Sequence, residues 1–150
     1  MNEDHTAIRM SRQQIETLFD RRDAAIARRD AEEIAAQYAE DAVVESPTAG
    51  GAVRGRSAIA EITRAWFVGI PDLVMARTLL IIDGDRAVWM GDVSGTDSGG
   101  FMGLAPTNKP FHLPIVMVCT LKDGFIVHEQ RIYDFTGMLV QIGVLKARPI

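Results

Sequence analysis

The sequence predicts an α+β fold: a cone-shaped, curved mixed or antiparallel sheet wrapped around three N-terminal helices and enclosing an apolar pocket. Three observations carry this expectation. Apolar residues recur at helical spacing only as far as Phe67. From Leu73 onward β-rich runs follow one another, and the pairs Asp83-Gly84 and Asp123-Gly124 mark tight turns between them.

Ser11 with Gln14 three positions later is a capping box, and Ile15, Leu18, Phe19, Arg22 and Ile26 then line one face of a first helix. Asp30 starts a second, short helix through Tyr38, with Glu32 and Glu33 in the first turn where the helix dipole favours them. The segment YAEDAVVESP, Tyr38 to Pro47, ends that helix in an acidic turn and launches a strand at Val43 to Glu45. After Gly50-Gly51, Ser57 opens a third helix with Ile59, Ile62, Trp66 and Phe67 on one side, closed by Gly69 and Pro71. Everything beyond is extended: Leu73 to Ile82, Ala87 to Thr96, Pro110 to Leu121 and Phe125 to Asp134, with Asp134 capping the following turn. The segment from Thr96 to Pro110 is too long for a hairpin turn; with Phe101 and Met102 among glycines it reads as a lid over the pocket or as a subunit contact.

A chain of 150 residues, 47% of them hydrophobic, can bury the core of one domain spanning residues 1–150. The formal charge of -4 and the lack of a basic stripe interleaved with aromatics argue against nucleic-acid binding. No run approaches the length of a membrane span. Cys119 has no cysteine to pair with and reads as a buried small hydrophobe, and MNEDHTAIRMS lacks the apolar run of a secretory leader, so a cytoplasmic location is expected. His5, His112 and His128 lack metal-ligand spacing, and no phosphate loop, serine elbow or Cys–His pair is visible. Neither a metal nor a cofactor is expected.

Chemistry is expected where a carboxylate interrupts an apolar strand, as Asp92 does in GDRAVWMGDVSGT, because an unpaired buried acid is costly to keep. Strand alternation puts Met90, Asp92 and Ser94 on one face and Trp89, Gly91 and Val93 on the other. In a hairpin turning at 122–124, Met117 falls about opposite Glu129 and Ile115 about opposite Arg131. With the first face concave, the pocket holds Asp92, Glu129, Arg131 and Tyr133 among Met90, Ile115, Met117, Trp66 and Phe101. Arg22, on the apolar stripe of the first helix, can reach the rim. Two structural alternatives stand beside this reading: Asp92 paired with Arg77, and Arg131 paired with Glu129.

YAEDAVVESP followed by VRGRSAIAEI resembles the ketosteroid isomerases of the nuclear transport factor two-like superfamily. GTDSGGFMGLAPTNKPF with DGFIVHEQRIYDFTGMLVQIG is similar to the SnoaL-like polyketide cyclase branch. The resemblance implies a cofactor-independent isomerase or cyclase moving a proton next to a carbonyl of a hydrophobic cyclic or polyketide-like molecule, with limonene-type epoxide hydrolysis or non-catalytic binding of an apolar metabolite as alternatives. It implies that Ser46 stands at the isomerases' base position, Arg22 at or near their hydroxyl donor, and Arg131 at the cyclases' acid/base position. Of the epoxide hydrolases' relay only Asp92 is retained; its other positions fall on Met90, Arg131, Val44 and Ser46. Asp92 would then move the proton and Arg131 face the enolate, with Glu129 beside it. The superfamily's habit of pairing through the outer sheet face implies a homodimer, here through Trp89, Val93, Val116 and Val118.

Overall fold

The chain enters its first helix where Ser11 directs it. In the computed structural model, which describes residues 9–148, the Ser11 hydroxyl accepts from the Gln14 amide (3.1 Å) and the Gln14 side chain accepts from the Ser11 amide (2.7 Å). His5 and the N-terminal residues before Arg9 lie outside the described residues. Helix α1, Arg12–Ala27, turns Ile15, Leu18, Phe19, Arg22 and Ile26 inward. Helix α2, Ala31–Ala36, is capped by the Asp30 carboxylate on the Glu33 amide.

The second helix does not run through Tyr38. The Gln37 carbonyl accepts the Ile126 amide, which draws the chain into the sheet, and Tyr38 begins strand β1, Tyr38–Ser46, with its ring fully buried. A 3-10 turn at Pro47–Ala49 and a left-handed Gly50 (φ 65) return the chain as β2, Gly51–Arg54. Helix α3, Arg56–Gly69, follows Gly55, one residue earlier than Ser57 suggests.

Four long strands come next: β3 (Val74–Asp83), β4 (Arg86–Thr96), β5 (Pro110–Lys122) and β6 (Phe125–Tyr133). The six strands form one curved, unclosed sheet in the order β2-β1-β6-β5-β4-β3, antiparallel except for the β1–β6 pair. Sequence reading makes everything after the third helix extended, but α4, Phe135–Gln141, adds a fourth helix. Asp134 caps it by accepting from the Gly137 amide at 2.8 Å, and Met138 reaches the core completely buried.

The faces of β4 are the reverse of those expected. Ala87, Trp89, Gly91 and Val93 face the helices and are buried, whereas Met90 is 37% exposed on the outer face beside Val88 and Asp92. Trp89 needs the inner face because it is the strand's largest apolar group, and Gly91 makes room for it: a Cβ there would collide with the Trp89 ring and the Ala76 carbonyl. The indole N–H also finds an acceptor inside, donating to Asp23 at 2.9 Å.

Between β5 and β6 the two-residue turn at Asp123-Gly124 and an irregularity at Thr120/Leu121 each move the pairing one residue from the expected one, so Met117 opposes Arg131, Cys119 opposes Glu129 and Ile115 opposes Tyr133. A shift of two preserves the face. Among the described residues no helix is long and apolar enough to cross a membrane.

Candidate active site

The site grows from one buried carboxylate. Alternation on β6 points Glu129 and Arg131 to the inner face, and the helical period of α1 points Arg22 at them. Glu129 is fully buried. Its Oε1 accepts from the Arg22 guanidinium (3.0 Å) and the Tyr38 hydroxyl (2.8 Å), and its Oε2 accepts from Arg131 Nε (2.6 Å). The Cys119 thiol lies 3.7 Å from Oε1, and the Arg22 guanidinium carbon sits 5.2 Å from the centre of the Tyr38 ring.

Electrostatics follow from these contacts. Burial alone would raise the Glu129 carboxyl, but Arg22 and Arg131, with the hydrogen bonds from Arg131 and Tyr38, bring it down to about 2. Burial alone would likewise weaken the proton affinity of both guanidiniums. The Glu129 carboxylate, which both contact, reverses the effect and holds them charged. Burial raises Tyr38 and Cys119 far enough to keep both neutral. The cluster therefore holds two cations against one anion, a net charge of +1. Arg22, 2% exposed, has Nε and Nη1 without hydrogen-bond partners, in surroundings where an unmet charged donor costs several kcal/mol.

Arg22 and Arg131 form part of the wall of a mostly apolar cavity of about 70 Å³, whose other polar groups are the hydroxyls of Thr63 and Tyr133. In the same wall Trp66 and Tyr133 meet edge to face (centroids 6.4 Å), with Phe101 4.8 Å from Trp66 and Phe135 6.4 Å from Tyr133. Among the described residues, the cavity lining contains no aspartate, glutamate or histidine.

Of the residues singled out from sequence, Arg22, Trp66, Ile115, Met117, Arg131 and Tyr133 line this cavity, and Glu129 lies behind its two arginines. Phe101 packs on Trp66. Ser46 touches the cavity through a partner, its hydroxyl 3.2 Å from that of Tyr133 and 3.0 Å from that of Thr48. Met90 and Asp92 do not reach it. The Asp92 side chain is 42% exposed on the outer face with His112 Nε2 3.2 Å away, and Arg77 turns inward to Asp20 and Asp23 instead of pairing with it. The expected inward carboxylate is thus corrected, because β4 turns its apolar residues to the core. Accordingly, Asp92→Asn should change turnover by less than about twofold, since the group it alters is outside the cavity; a steady-state loss of a hundredfold would return Asp92 to the mechanism.

Sequence reading missed Tyr38, Thr63 and Met138. Tyr38 carries a usable signal, since an aromatic before an acidic turn also fits the start of a buried strand. Thr63 lies one turn before Trp66 on the same helix face.

The long loop is organised by Asp97, 1% exposed. Its carboxylate accepts from the Phe101 amide (2.8 Å) and from the Thr107 amide (3.1 Å) and hydroxyl (3.0 Å). Phe101 is consequently buried, while Met102, in a left-handed conformation (φ 53), is 59% exposed.

A sequence model of the SnoaL-like polyketide cyclase family matches residues 16–142. No curated protein matches the chain. Among solved structures, IdmH from Streptomyces antibioticus, provisionally described as a polyketide cyclase, is similar with a TM-score of 0.72 and 26% identity over 85% of this chain and 97% of IdmH. AclR from Streptomyces galilaeus, provisionally described as a hydroxylase, gives 0.79 at 24% identity over 93% and 87%, and TsrD from Streptomyces laurentii gives 0.79 at 21% over 91% and 99%.

Proposed function

The chain belongs to the SnoaL-like polyketide cyclase family, and from that premise we propose a cofactor-independent cyclase or isomerase acting on a hydrophobic, polyketide-like carbonyl compound. The observation that carries this reading is the uncompensated buried cation at the cavity wall, Arg22 and Arg131 against Glu129 alone. When a proton leaves the carbon next to a carbonyl, negative charge grows on the carbonyl oxygen. A fixed cation in a water-poor site stabilises that enolate more than the neutral ketone, which is the condition for lowering the barrier. In ring closure the α-proton passes to solvent water, since the lining holds no base among the described residues; the enolate carbon bonds to a second carbonyl carbon of the same molecule, and the resulting alkoxide takes a proton back from water. No electrons are gained or lost overall, so no redox partner enters.

Arg131 and Arg22 bind the oxygen, Trp66, Ile115, Met117 and Tyr133 hold the apolar body, and Phe101 and Ser46 support Trp66 and Tyr133. Glu129 balances the arginines; with three strong donors on it and its pKa near 2, it is a poor base. The experiment is exchange of α-protons of a small ketone into deuterated water, followed by NMR. Exchange accelerated by the protein supports the reading, and a rate equal to that of buffer sinks it. Non-catalytic binding of an apolar metabolite is the second reading, favoured by the lack of a free base in the lining. Epoxide opening loses its support with Asp92 outside the cavity.

A homodimer through the outer sheet face belongs to the same reading. Trp89 and Val93 lie inside, but Val116 and Val118 share the outer face with Leu79, Ile81, Met90 and Ile132, the last four between 37% and 52% exposed. That is more contiguous apolar surface than a monomer normally leaves in water. Light scattering should give twice 16.5 kDa, and Ile132→Glu should halve it; a wild-type particle of 16.5 kDa would end the idea. The lone, buried Cys119 is consistent with a cytoplasmic location.

A further inference from the structure

One hydroxyl in the cavity wall is placed to hand over a proton. Resting on the reading above, we infer that Tyr133 is the donor to the substrate's reacting oxygen, and that Ser46 and Thr48 stand behind it as positioning residues that relay hydrogen from solvent.

Elimination within the lining points to Tyr133. Its polar groups are two guanidiniums and two hydroxyls, those of Arg22, Arg131, Thr63 and Tyr133. Guanidiniums keep their protons in proteins, so the arginines stabilise charge without transferring hydrogen. The Thr63 hydroxyl donates to the Ile59 carbonyl at 2.7 Å, a bond internal to α3 that spends its only hydrogen. Tyr133 is differently placed. Its hydroxyl donates to Thr48 at 3.0 Å and lies 3.2 Å from Ser46 Oγ, while Ser46 and Thr48 are 3.0 Å apart, so three hydroxyls close a triangle. A hydroxyl has one hydrogen and two lone pairs, and the hydrogen turns about the C–O bond. When a carbonyl oxygen arrives, the Tyr133 hydrogen can leave Thr48 for it, with Ser46 donating to the phenol oxygen from behind and Thr48 donating to Ser46. Each bond in such a chain polarises the next.

Ser46 shows that the triangle is more than turn chemistry. It stands at the start of the 3-10 turn Pro47–Ala49, where a serine ordinarily accepts from a backbone amide, yet it makes no such bond. At 6% exposure it spends its hydroxyl on two other hydroxyls instead. Thr48, half-buried in that turn, joins the pair to the surface. On the inner face of β6 Arg131 lies two residues before Tyr133, and both line the cavity, which therefore offers a fixed positive charge and a mobile hydrogen together.

The proton balance closes without a base in the wall. The α-proton leaves to water, and the Tyr133 O–H bond breaks as an O–H bond forms on the enolate or alkoxide oxygen. The Ser46 hydrogen passes to the phenol oxygen, the Thr48 hydrogen passes to Ser46, and solvent reprotonates Thr48. The hydroxide left in solution takes up the α-proton released earlier.

The probe is acetone, the smallest ketone, followed for α-proton exchange into deuterated water and, labelled with carbon-13 at the carbonyl, for the chemical shift of its bound form. Tyr133→Phe keeps the ring and should slow exchange about a hundredfold, as expected on removing a positioned acid. Ser46→Ala leaves Tyr133 its Thr48 contact and should slow exchange about tenfold, the effect of one lost hydrogen bond. The carbonyl carbon of bound acetone should resonate downfield of the free ketone, because a donor on the oxygen withdraws electron density. Both substitutions should move that signal back toward the free value, Tyr133→Phe the further of the two. A role in folding alone would lower the melting temperature and leave the signal in place.

An unshifted carbonyl signal in the wild type, or a shift that Tyr133→Phe leaves in place, would overturn the inference, as would a Ser46→Ala protein that matches the wild type in both readouts. Exchange accelerated equally by the wild type and Tyr133→Phe would leave the proposed function standing and this inference fallen. A Tyr133-dependent carbonyl shift with no exchange by any of the proteins would do the reverse, with Tyr133 the donor to a carbonyl that is bound and not turned over.

Discussion

Glu129→Gln should lower stability by about 3–5 kcal/mol, the usual result of removing one partner from a buried ionic group. The change conserves shape and leaves no cavity, but it strands Arg22 and Arg131 together in the core and gives Tyr38 a weaker acceptor. For a chain of this length the loss corresponds to a melting temperature roughly 10 °C lower. The acid response supplies an independent check. Because the folded-state pKa, about 2, lies below the ordinary value of 4.5, the stabilisation from Glu129 is complete above about pH 4.5 and is lost as pH falls through that window toward 2. Urea titrations at pH 7, 4.5 and 3 should show the wild type losing more stability across the window than Glu129→Gln does. The triple change of Glu129 to Leu with both arginines to Met should restore much of the lost stability, since apolar replacement of a whole buried cluster is often neutral or better. A loss under about 1 kcal/mol in the single variant would mean that water reaches the cluster.

The second large effect concerns turnover. Arg131→Met should slow α-proton exchange by about a hundred- to a thousandfold, the range found when one donor to a developing oxyanion is removed. The fall should appear in kcat more than in KM, because the charge it meets grows between ground state and transition state. If Arg131 serves only to neutralise Glu129, the variant will instead melt earlier while its remaining folded fraction turns over normally. Measuring both on the same preparation separates the two roles.

Local signals in the chain were read correctly where one physical rule governed them. Ser11 and Gln14 reported the start of α1 because a capping box is satisfied within four residues, and the Asp-Gly pairs placed two turns for the same reason. The β5–β6 register was two residues off, yet Met117, Ile115 and Arg131 still fell on the cavity side, since strand alternation survives an even shift. The failures came where two rules competed. On β4 a costly carboxylate and an apolar set compete for the inner face, and Ala87, Trp89 and Val93 together bury more apolar area than Asp92 could offset. Helix α4 is short, apolar and interrupted by Gly137, so its sequence reads like more strand, and its one local signal is the capping residue Asp134. The Tyr38–Glu129–Arg22 contact joins positions 91 and 107 residues apart, a closeness that spacing along the chain does not encode.

Asp97 sets the tempo of the site. A ligand larger than the 70 Å³ cavity must displace part of its wall; Trp66 in that wall is backed by Phe101, and the Phe101 amide is tied to a carboxylate that also holds Thr107. Entry and exit of bulky molecules then wait on the release of a buried polar clasp, an event far rarer than the rotation of an aromatic ring. Small ligands would exchange quickly and large ones would dwell, so the same loop makes residence time a steep function of ligand size even where affinities are alike.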